Sequence, residues 1–150
     1  GIRATDLAAE LASAKLLLET TRVQLDYAPP PQGLPPEVER GLALVLREAV
    51  TNISRHAQAL QAQVEFVRED NAVQLRICDN GRGGVSADGN GLSGMRDRVR
   101  ELGGSLSVDS PRAGGTQLLV RVPLVWREPL LPLRAVGAVG VLPRETLRHA

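Results

Sequence analysis

The chain has 150 residues, 43% of them hydrophobic, which is enough for one globular domain with its own core and without metals or disulfides. Its formal net charge is +1 and only 2% of its residues are aromatic, which disfavours a nucleic-acid-binding protein with a basic face and stacking rings. The single cysteine, Cys78, excludes an internal disulfide, and its place in the alternating stretch VQLRIC predicts a buried strand residue. No apolar run reaches the roughly 18 residues of a membrane span. We therefore expect a soluble domain from a reducing compartment, with no direct contact to nucleic acid or membrane.

The first half of the sequence predicts a helix, a strand and a second helix. Residues 3–20 combine strong helix formers with spaced leucines, and residues 22–27 alternate as a half-buried strand does. A proline-rich loop then leads into a helix over residues 37–57, which has acidic residues in its first turn and an apolar stripe along one side. The apolar stripe indicates that this helix packs on the core.

The second half predicts a hairpin, a helix and two closing strands. Residues 62–69 and 72–79 alternate with period two around a turn-prone Asp-Asn pair, which is typical of an antiparallel hairpin. A helix over residues 92–102 stops at two glycines, and strands over 105–110 and 116–124 follow. The fold class that this order favours is α/β (α+β), a two-layer sandwich with helices packed on one face of a sheet.

A glycine-rich segment runs from Cys78 to Met95, between the hairpin and the next helix. Glycine loses more conformational entropy on folding than any other residue, so fold stability alone does not favour such a segment. A bound ligand explains it better. The unpaired amides at the start of the following helix can hold phosphate oxygens. Asp79 ends a strand where the glycines begin, and a plain hairpin turn is the weaker interpretation because no strand follows. Three of the glycines match G-x-G-x-x-G, but the context contradicts a dinucleotide fold.

One side of the helix over residues 37–57 presents a carboxylate, an amide and two basic groups. Glu48 and Asn52 are four residues apart, and Arg55 and His56 follow one turn later. Carboxylate and amide oxygens are suitable donors for Mg²⁺, which shares its other positions with water and phosphate. The alternative is an exposed polar helix face without a function.

Four motifs in this order resemble those of the GHKL ATP-binding fold. REAVTNISRHA (47–57), DNGRG (79–83), GNGLSGMRDRV (89–99) and GGT (114–116) are similar to its N, G1 and G2 boxes and its final threonine. More narrowly, they resemble the ATP-binding domain of DesK-like and NarX-like sensor histidine kinases. The resemblance implies a Bergerat-type sandwich with a mixed, mostly antiparallel sheet, and it implies ATP and Mg²⁺ as cofactors.

The resemblance also implies a role for each matching residue. Glu48 would orient or deprotonate a metal-bound water or assist phosphoryl transfer, and Asn52 would ligate Mg²⁺. Asp79 would accept a hydrogen bond from the exocyclic amine of adenine, with support from Thr116. The remaining implied contacts are with the phosphate chain at Arg55 and His56, with the base and ribose at Gly81 and Gly83, and with the lid and helix start at Gly91, Leu92, Gly94 and Met95.

The same resemblance predicts the domain organisation. Residues 1–20 resemble the end of the second helix of a dimerisation hairpin, residues 21–124 form the catalytic and ATP-binding domain, and residues 125–150 form a tail of unknown role. His56 lies in the N box and His149 in the tail, so the acceptor histidine is expected upstream of this chain.

The implied activity is transfer of the ATP γ-phosphate to that histidine, in the dimerisation and histidine phosphotransfer domain of the same protein. By this resemblance, a response regulator of the NarL type would then receive the phosphate. The parent is expected to be a homodimer, with this domain in the cytoplasm even if other segments anchor the parent to a membrane.

Two alternatives of the same fold stay open. One is a kinase that phosphorylates serine on an anti-anti-sigma partner. In a kinase of that kind, no dimerisation helix is expected before the first strand. The other is a nucleotide-gated conformational module like those of gyrase and heat-shock chaperones, which usually carry longer lids. Residues 3–20 favour the histidine kinase over the serine kinase.

Overall fold

A computed structural model of the chain describes residues 6–85 and 92–124. The predicted order of elements is confirmed there, whereas residues 3–5 of the first helix, residues 86–91 and the tail lie outside the described residues. The helices are α1 (Leu7–Thr20), α2 (Pro36–Asn52), which runs into a π-helical turn (Ile53–Ala57), and α3 (Leu92–Glu101). The strands are β1 (Gln24–Tyr27), β2 (Gln61–Glu69), β3 (Ala72–Asp79), β4 (Ser105–Asp109) and β5 (Thr116–Pro123).

The five strands form one mixed sheet in the order β1-β2-β3-β5-β4. Only β1 and β2 are parallel, and the other three pairings are antiparallel, so the predicted hairpin and fold class are confirmed. The pairing of β3 with β5 places Asp79 directly opposite Thr116. Two residues that are 37 positions apart in the sequence thus meet at one end of the sheet.

The hydrophobic core lies between one face of the sheet and the three helices. Period-two alternation directs Leu75 and Ile77 of β3 toward the helices, where Leu42 and Leu46 of α2 meet them in the core. Burying each such side chain stabilises the fold by about 1.5–3 kcal/mol. The core therefore fixes the position of α2 over the sheet, and with it the polar side of that helix.

The opposite face of the sheet is polar. The guanidinium of Arg76 is paired with Glu65, and that of Arg121 with Glu69. The sequence predicts a buried Cys78, but this residue is only half-buried, because it follows Ile77 by one position and so points to the polar face. Its thiol lies beside Gln117, and burial raises the pKa of this thiol.

Helix α1 packs on α2 within the same core. Asp6 caps the helix by accepting a hydrogen bond from the N–H of Ala8 at 3.0 Å, and Leu7, Leu11 and Leu18 are fully buried. These contacts place α1 against α2 and the sheet. Its origin in a dimerisation hairpin, and the boundary after residue 20, stay predictions. No helix among the described residues combines the length and apolarity that crossing a bilayer requires.

The helix predicted over residues 37–57 changes its winding near its end. It is α-helical only to Asn52, and the last five residues form a π-helical turn that ends at Gln58 in the left-handed conformation, with φ of 54°. A π turn is wider than an α turn, so it changes the direction in which the following side chains leave the axis. This turn sets the position of Arg55 and His56.

Candidate functional site

A cavity of about 1020 Å³ lies where the C-terminal end of α2 faces the ends of β3 and β5. Its wall combines residues from the π turn, the glycine-rich loop, the start of α3 and the β4–β5 turn. The lining residues that the sequence analysis singled out are Glu48, Asn52, Arg55, His56, Asp79, Gly83, Leu92 and Thr116. Eight of the twelve residues predicted for the site thus line one cavity, although they are spread over almost seventy positions of the chain.

The α2 side of the cavity carries the polar groups of the N-box motif. Glu48 and Asn52 lie one helical turn apart, so both reach the same wall, with Glu48 exposed and Asn52 half-buried. Arg55 and His56 are exposed on the π turn that continues this wall. This side of the cavity therefore offers oxygen donors for a cation beside positive charge for an anion.

Asp79 lies at the other side, at the end of β3. Because it is two positions after Ile77, its carboxylate shares the inward face of the sheet, and its Oδ1 accepts a hydrogen bond from the N–H of Gly81 at 2.8 Å. Burial raises the pKa of the Asp79 carboxyl, and hydrogen bonds from the backbone of Gly81 and Thr116 oppose that rise. The result is a partly desolvated, oriented hydrogen-bond acceptor.

The wall between these two polar sides is apolar. Ala49 and Ile53 come from the helix side, and Ile77, Leu92 and Leu118 come from the sheet and α3. Most known small-molecule sites combine an apolar lining with a few placed polar groups. A flat apolar ring with a donor at one edge and an anionic chain at the other matches this distribution.

The glycine-rich loop is clasped against the β4–β5 turn by close backbone contacts. Gly83 has a φ of +65°, and a Cβ there would lie 2.0 Å from the carbonyl oxygen of Pro111. A Cβ at Gly115 would lie 2.2 Å from the carbonyl oxygen of Asp79. The N–H of Ala113 also donates to the carbonyl of Arg82 at 2.6 Å. Glycine is therefore required where the two loops touch.

Three of the predicted residues do not line this cavity among the described residues. Gly81 is buried behind the wall, Gly94 is exposed on α3, and Met95 is fully buried in the core. Met95 is three residues after Leu92, which places both on the inward face of α3. The predicted lid contact at Gly91 lies outside the described residues.

Sequence reasoning missed several polar residues around the site. Arg82 and Arg112 are exposed at the cavity wall. The side-chain oxygen of Asn80 accepts the N–H groups of Leu60 and Gln61, both at 2.9 Å, and so ties the loop to the start of β2. Arg82 and Asn80 stand inside the DNGRG motif, so that motif was the available signal, whereas nothing local marks Arg112.

A family model described as histidine kinase-, DNA gyrase B-, and HSP90-like ATPase matches residues 37–125, which is more than half of the chain. The chain belongs to this family. It therefore contains an ATP-binding domain of this family. The match begins at the start of α2 and ends just after β5, and it contains all the elements that line the cavity.

Curated relatives in this family are sensor proteins. The chain is 35% identical over 102 residues to the nitrate/nitrite sensor protein NarX of Escherichia coli strain K12, an alignment that covers 65% of this chain and 17% of the relative. It is 33% identical over 129 residues to the sensor histidine kinase DesK of Bacillus subtilis strain 168, and this alignment covers 82% of this chain and 34% of DesK. The chain therefore spans about a sixth of the length of NarX and about a third of the length of DesK.

Solved structures share the fold. A histidine kinase domain from the Erythrobacter litoralis EL346 blue-light activated histidine kinase superimposes with a TM-score of 0.67 at 21% identity, covering 83% of this chain and 65% of that one. The ATP-binding domain of PrrB from Mycobacterium tuberculosis gives a TM-score of 0.61 at 24% identity, covering 79% and 93%. At this identity the likeness supports the two-layer architecture.

Proposed function

We propose that this domain is the catalytic and ATP-binding domain of a sensor histidine kinase, which transfers the γ-phosphate of ATP to a histidine outside this chain. The observation that carries the proposal is the arrangement of one cavity, with Asp79 and Thr116 at one side and Glu48 and Asn52 at the other. The names of the relatives, NarX and DesK among them, support a sensor histidine kinase over the other members of the family.

Asp79 binds the adenine end in this proposal. Its carboxylate accepts a hydrogen bond from the exocyclic amine, and the apolar residues Ile77 and Leu118 contact the ring. A carboxylate that is already oriented by Gly81 requires little reordering when the base enters. Gly83 lies in the cavity wall, where its backbone would contact the base and ribose.

Asn52 and Glu48 act at the phosphate end. The amide oxygen of Asn52 and the carboxylate of Glu48 match the hard oxygen donors that Mg²⁺ prefers, so Asn52 would ligate Mg²⁺ and Glu48 would orient a water bound to it or assist the transfer. When bound, the ion neutralises phosphate charge. Arg55 adds positive charge beside the same phosphates, and the imidazole of His56 offers a hydrogen-bond donor there.

The parent protein would complete the reaction. We infer that its dimerisation and histidine phosphotransfer domain carries the acceptor histidine, that the parent is a homodimer, and that α1 continues from the second helix of its hairpin. The phosphate would then pass to a response regulator, of the NarL type by resemblance. Because such a relay operates in the cytoplasm, we infer that this domain is cytoplasmic.

A phosphotransfer assay tests the proposal. The chain is incubated with Mg²⁺, radiolabelled ATP and the dimerisation domain of its parent, and the label is expected on the histidine of that domain, as an acid-labile and base-stable product. Asn52→Ala should abolish the transfer. Asn71→Ala, in the exposed turn between β2 and β3, is the matched control and should transfer normally.

Two outcomes would contradict the proposal. Acid-stable label on serine of an added protein would indicate the serine kinase alternative. Tight nucleotide binding without any transfer would indicate a nucleotide-gated conformational module.

A further inference from the structure

Ser110 joins the adenine side of the cavity to the glycine-rich loop. Its Oγ lies 2.7 Å from Oγ1 of Thr116 and accepts the N–H of Val85 at 2.9 Å. Its carbonyl oxygen accepts the N–H of Gly84 at 2.8 Å. Ser110 is half-buried and stands behind Thr116, which lines the cavity. Neither the motifs nor the relatives assign it a role.

The hydrogen bonds around Ser110 favour one direction. A hydroxyl has a single hydrogen to donate, and the backbone N–H of Val85 can only donate, so Ser110 uses an oxygen lone pair there. The Ser110 hydrogen is then free for Thr116. In a hydrogen-bond network from Val85 through Ser110 to Thr116, each hydroxyl accepts once and donates once, and such bonds strengthen one another. In this network the hydroxyl hydrogen of Thr116 is left for a group in the cavity.

A donating hydroxyl at position 116 discriminates between purines. The N1 atom of adenine is an acceptor, beside an amine that donates. Guanine has the reverse pattern, with an N1–H donor beside a carbonyl acceptor. Asp79, which accepts, and Thr116, which donates, together match adenine. Against guanine each would face a group of its own kind, and unpaired buried polar groups are costly.

We propose that Ser110 orients the hydroxyl of Thr116 as a donor into the cavity and thereby contributes to the selection of adenine over guanine. This inference rests on the proposed function, in which Asp79 and Thr116 meet the base. Ser110 is a positioning residue because it acts through Thr116. Without it, the Thr116 hydroxyl can rotate and accept from guanine as readily as it donates to adenine.

Calorimetric titration with ADP and with GDP, in the presence of Mg²⁺, tests this role. In Ser110→Ala the ADP affinity should fall about fivefold, as expected for one lost hydrogen bond, while the GDP affinity stays equal or rises. The ratio of the two affinities should therefore fall by about fivefold or more. Ser110→Thr keeps the hydroxyl and should preserve the ratio. Ser107→Ala, on the exposed side of β4, is the matched control.

A double-mutant cycle separates positioning from a purely structural effect. The variant with both Ser110→Ala and Thr116→Val should bind ADP no more weakly than Thr116→Val alone, because Ser110 acts through that hydroxyl. The inference would be overturned if Ser110→Ala left the ratio of the ADP and GDP affinities unchanged. It would also be overturned if the losses of ADP affinity from Ser110→Ala and Thr116→Val multiplied in the double variant. If Ser110→Ala does not fold, Ser110→Cys, which keeps the shape but forms weaker hydrogen bonds, must show the same fall in the affinity ratio. If the unsubstituted chain binds no ADP, the proposed function itself is contradicted.

Discussion

Arg47 and Glu10 join helix α2 to helix α1 immediately before the first polar residue of the cavity. The Nη2 atom of Arg47 lies 2.9 Å from Oε1 of Glu10, and its Nε lies 3.4 Å from Oε2. The Glu10 side chain is only 9% exposed, whereas that of Arg47 is 53% exposed. The pair therefore holds a largely buried carboxylate between α1 and α2, and because Arg47 directly precedes Glu48 in the sequence, it links the packing of α1 to the position of the site.

Removing Arg47 should destabilise the fold. Arg47→Ala leaves Glu10 buried without its guanidinium, and since Arg47 itself is half-exposed we expect a loss of about 1–2 kcal/mol in the free energy of unfolding. Urea denaturation measures this loss. Arg40→Ala, at an exposed position of the same helix, is the matched control and should change stability by less than about 0.5 kcal/mol. Equal effects of the two substitutions would show that the pair contributes nothing.

Asp79 should make stability depend on pH. Burial raises its pKa above the ordinary 3.8, so the folded chain holds this proton more tightly than the unfolded chain does. Its contribution to stability is fully present below about pH 3.8 and is lost as pH rises through the folded-state pKa. Relative to Asp79→Asn, which does not titrate, the unsubstituted chain should gain stability as pH falls from 7 toward 4. Unfolding curves of both proteins at several pH values test this, and a difference that does not change with pH would contradict it.

Gly83 and Gly94 should respond in opposite ways to alanine. At Gly83 the new Cβ would collide with the carbonyl of Pro111 and the φ of +65° would be strained, so a loss of about 2 kcal/mol or more is expected. At Gly94 a Cβ would meet no described atom within 4 Å, and alanine in a helix should stabilise by about 0.5–1 kcal/mol. Thermal unfolding of both variants checks the signs. A stable Gly83→Ala variant would show that the loop is not clasped as described.

Asn80 should contribute to stability through its carbonyl oxygen alone. Asn80→Ala leaves the N–H groups of Leu60 and Gln61 without that acceptor, and we expect a loss of about 1–2 kcal/mol. Asn80→Asp keeps an acceptor oxygen and should retain most of the stability. Chemical denaturation of the three proteins distinguishes these cases. If aspartate were as harmful as alanine, the role assigned to the oxygen would be wrong.

The local elements were predictable because alternation and apolar stripes are properties of short stretches. The hairpin between β2 and β3 and the inward face of α2 follow from such patterns alone. The parallel pairing of β1 with β2, the register that brings Asp79 to Thr116, and the role of Ser110 depend on contacts between distant parts of the chain. No local pattern encodes those contacts, and the π turn after Asn52 has no marker that a helix pattern would reveal.

Most of the residues that line the cavity could be predicted because the motifs that contain them are short and ordered. They named both polar sides of the cavity, but they also included Met95, which the inward face of α3 buries in the core. A motif identifies which residues belong together without distinguishing those that touch a ligand from those that pack beneath it. That distinction required the helix geometry.

The most direct test of the account is isothermal titration calorimetry with Mg²⁺ and a non-hydrolysable ATP analogue, on the parent chain and on Asp79→Asn. We expect saturable binding to the unsubstituted chain and an affinity about 5- to 100-fold weaker for the variant, because a buried hydrogen bond to adenine is lost. No heat from the unsubstituted chain at millimolar nucleotide, or equal affinities of the two proteins, would contradict the claim that Asp79 accepts a hydrogen bond from adenine.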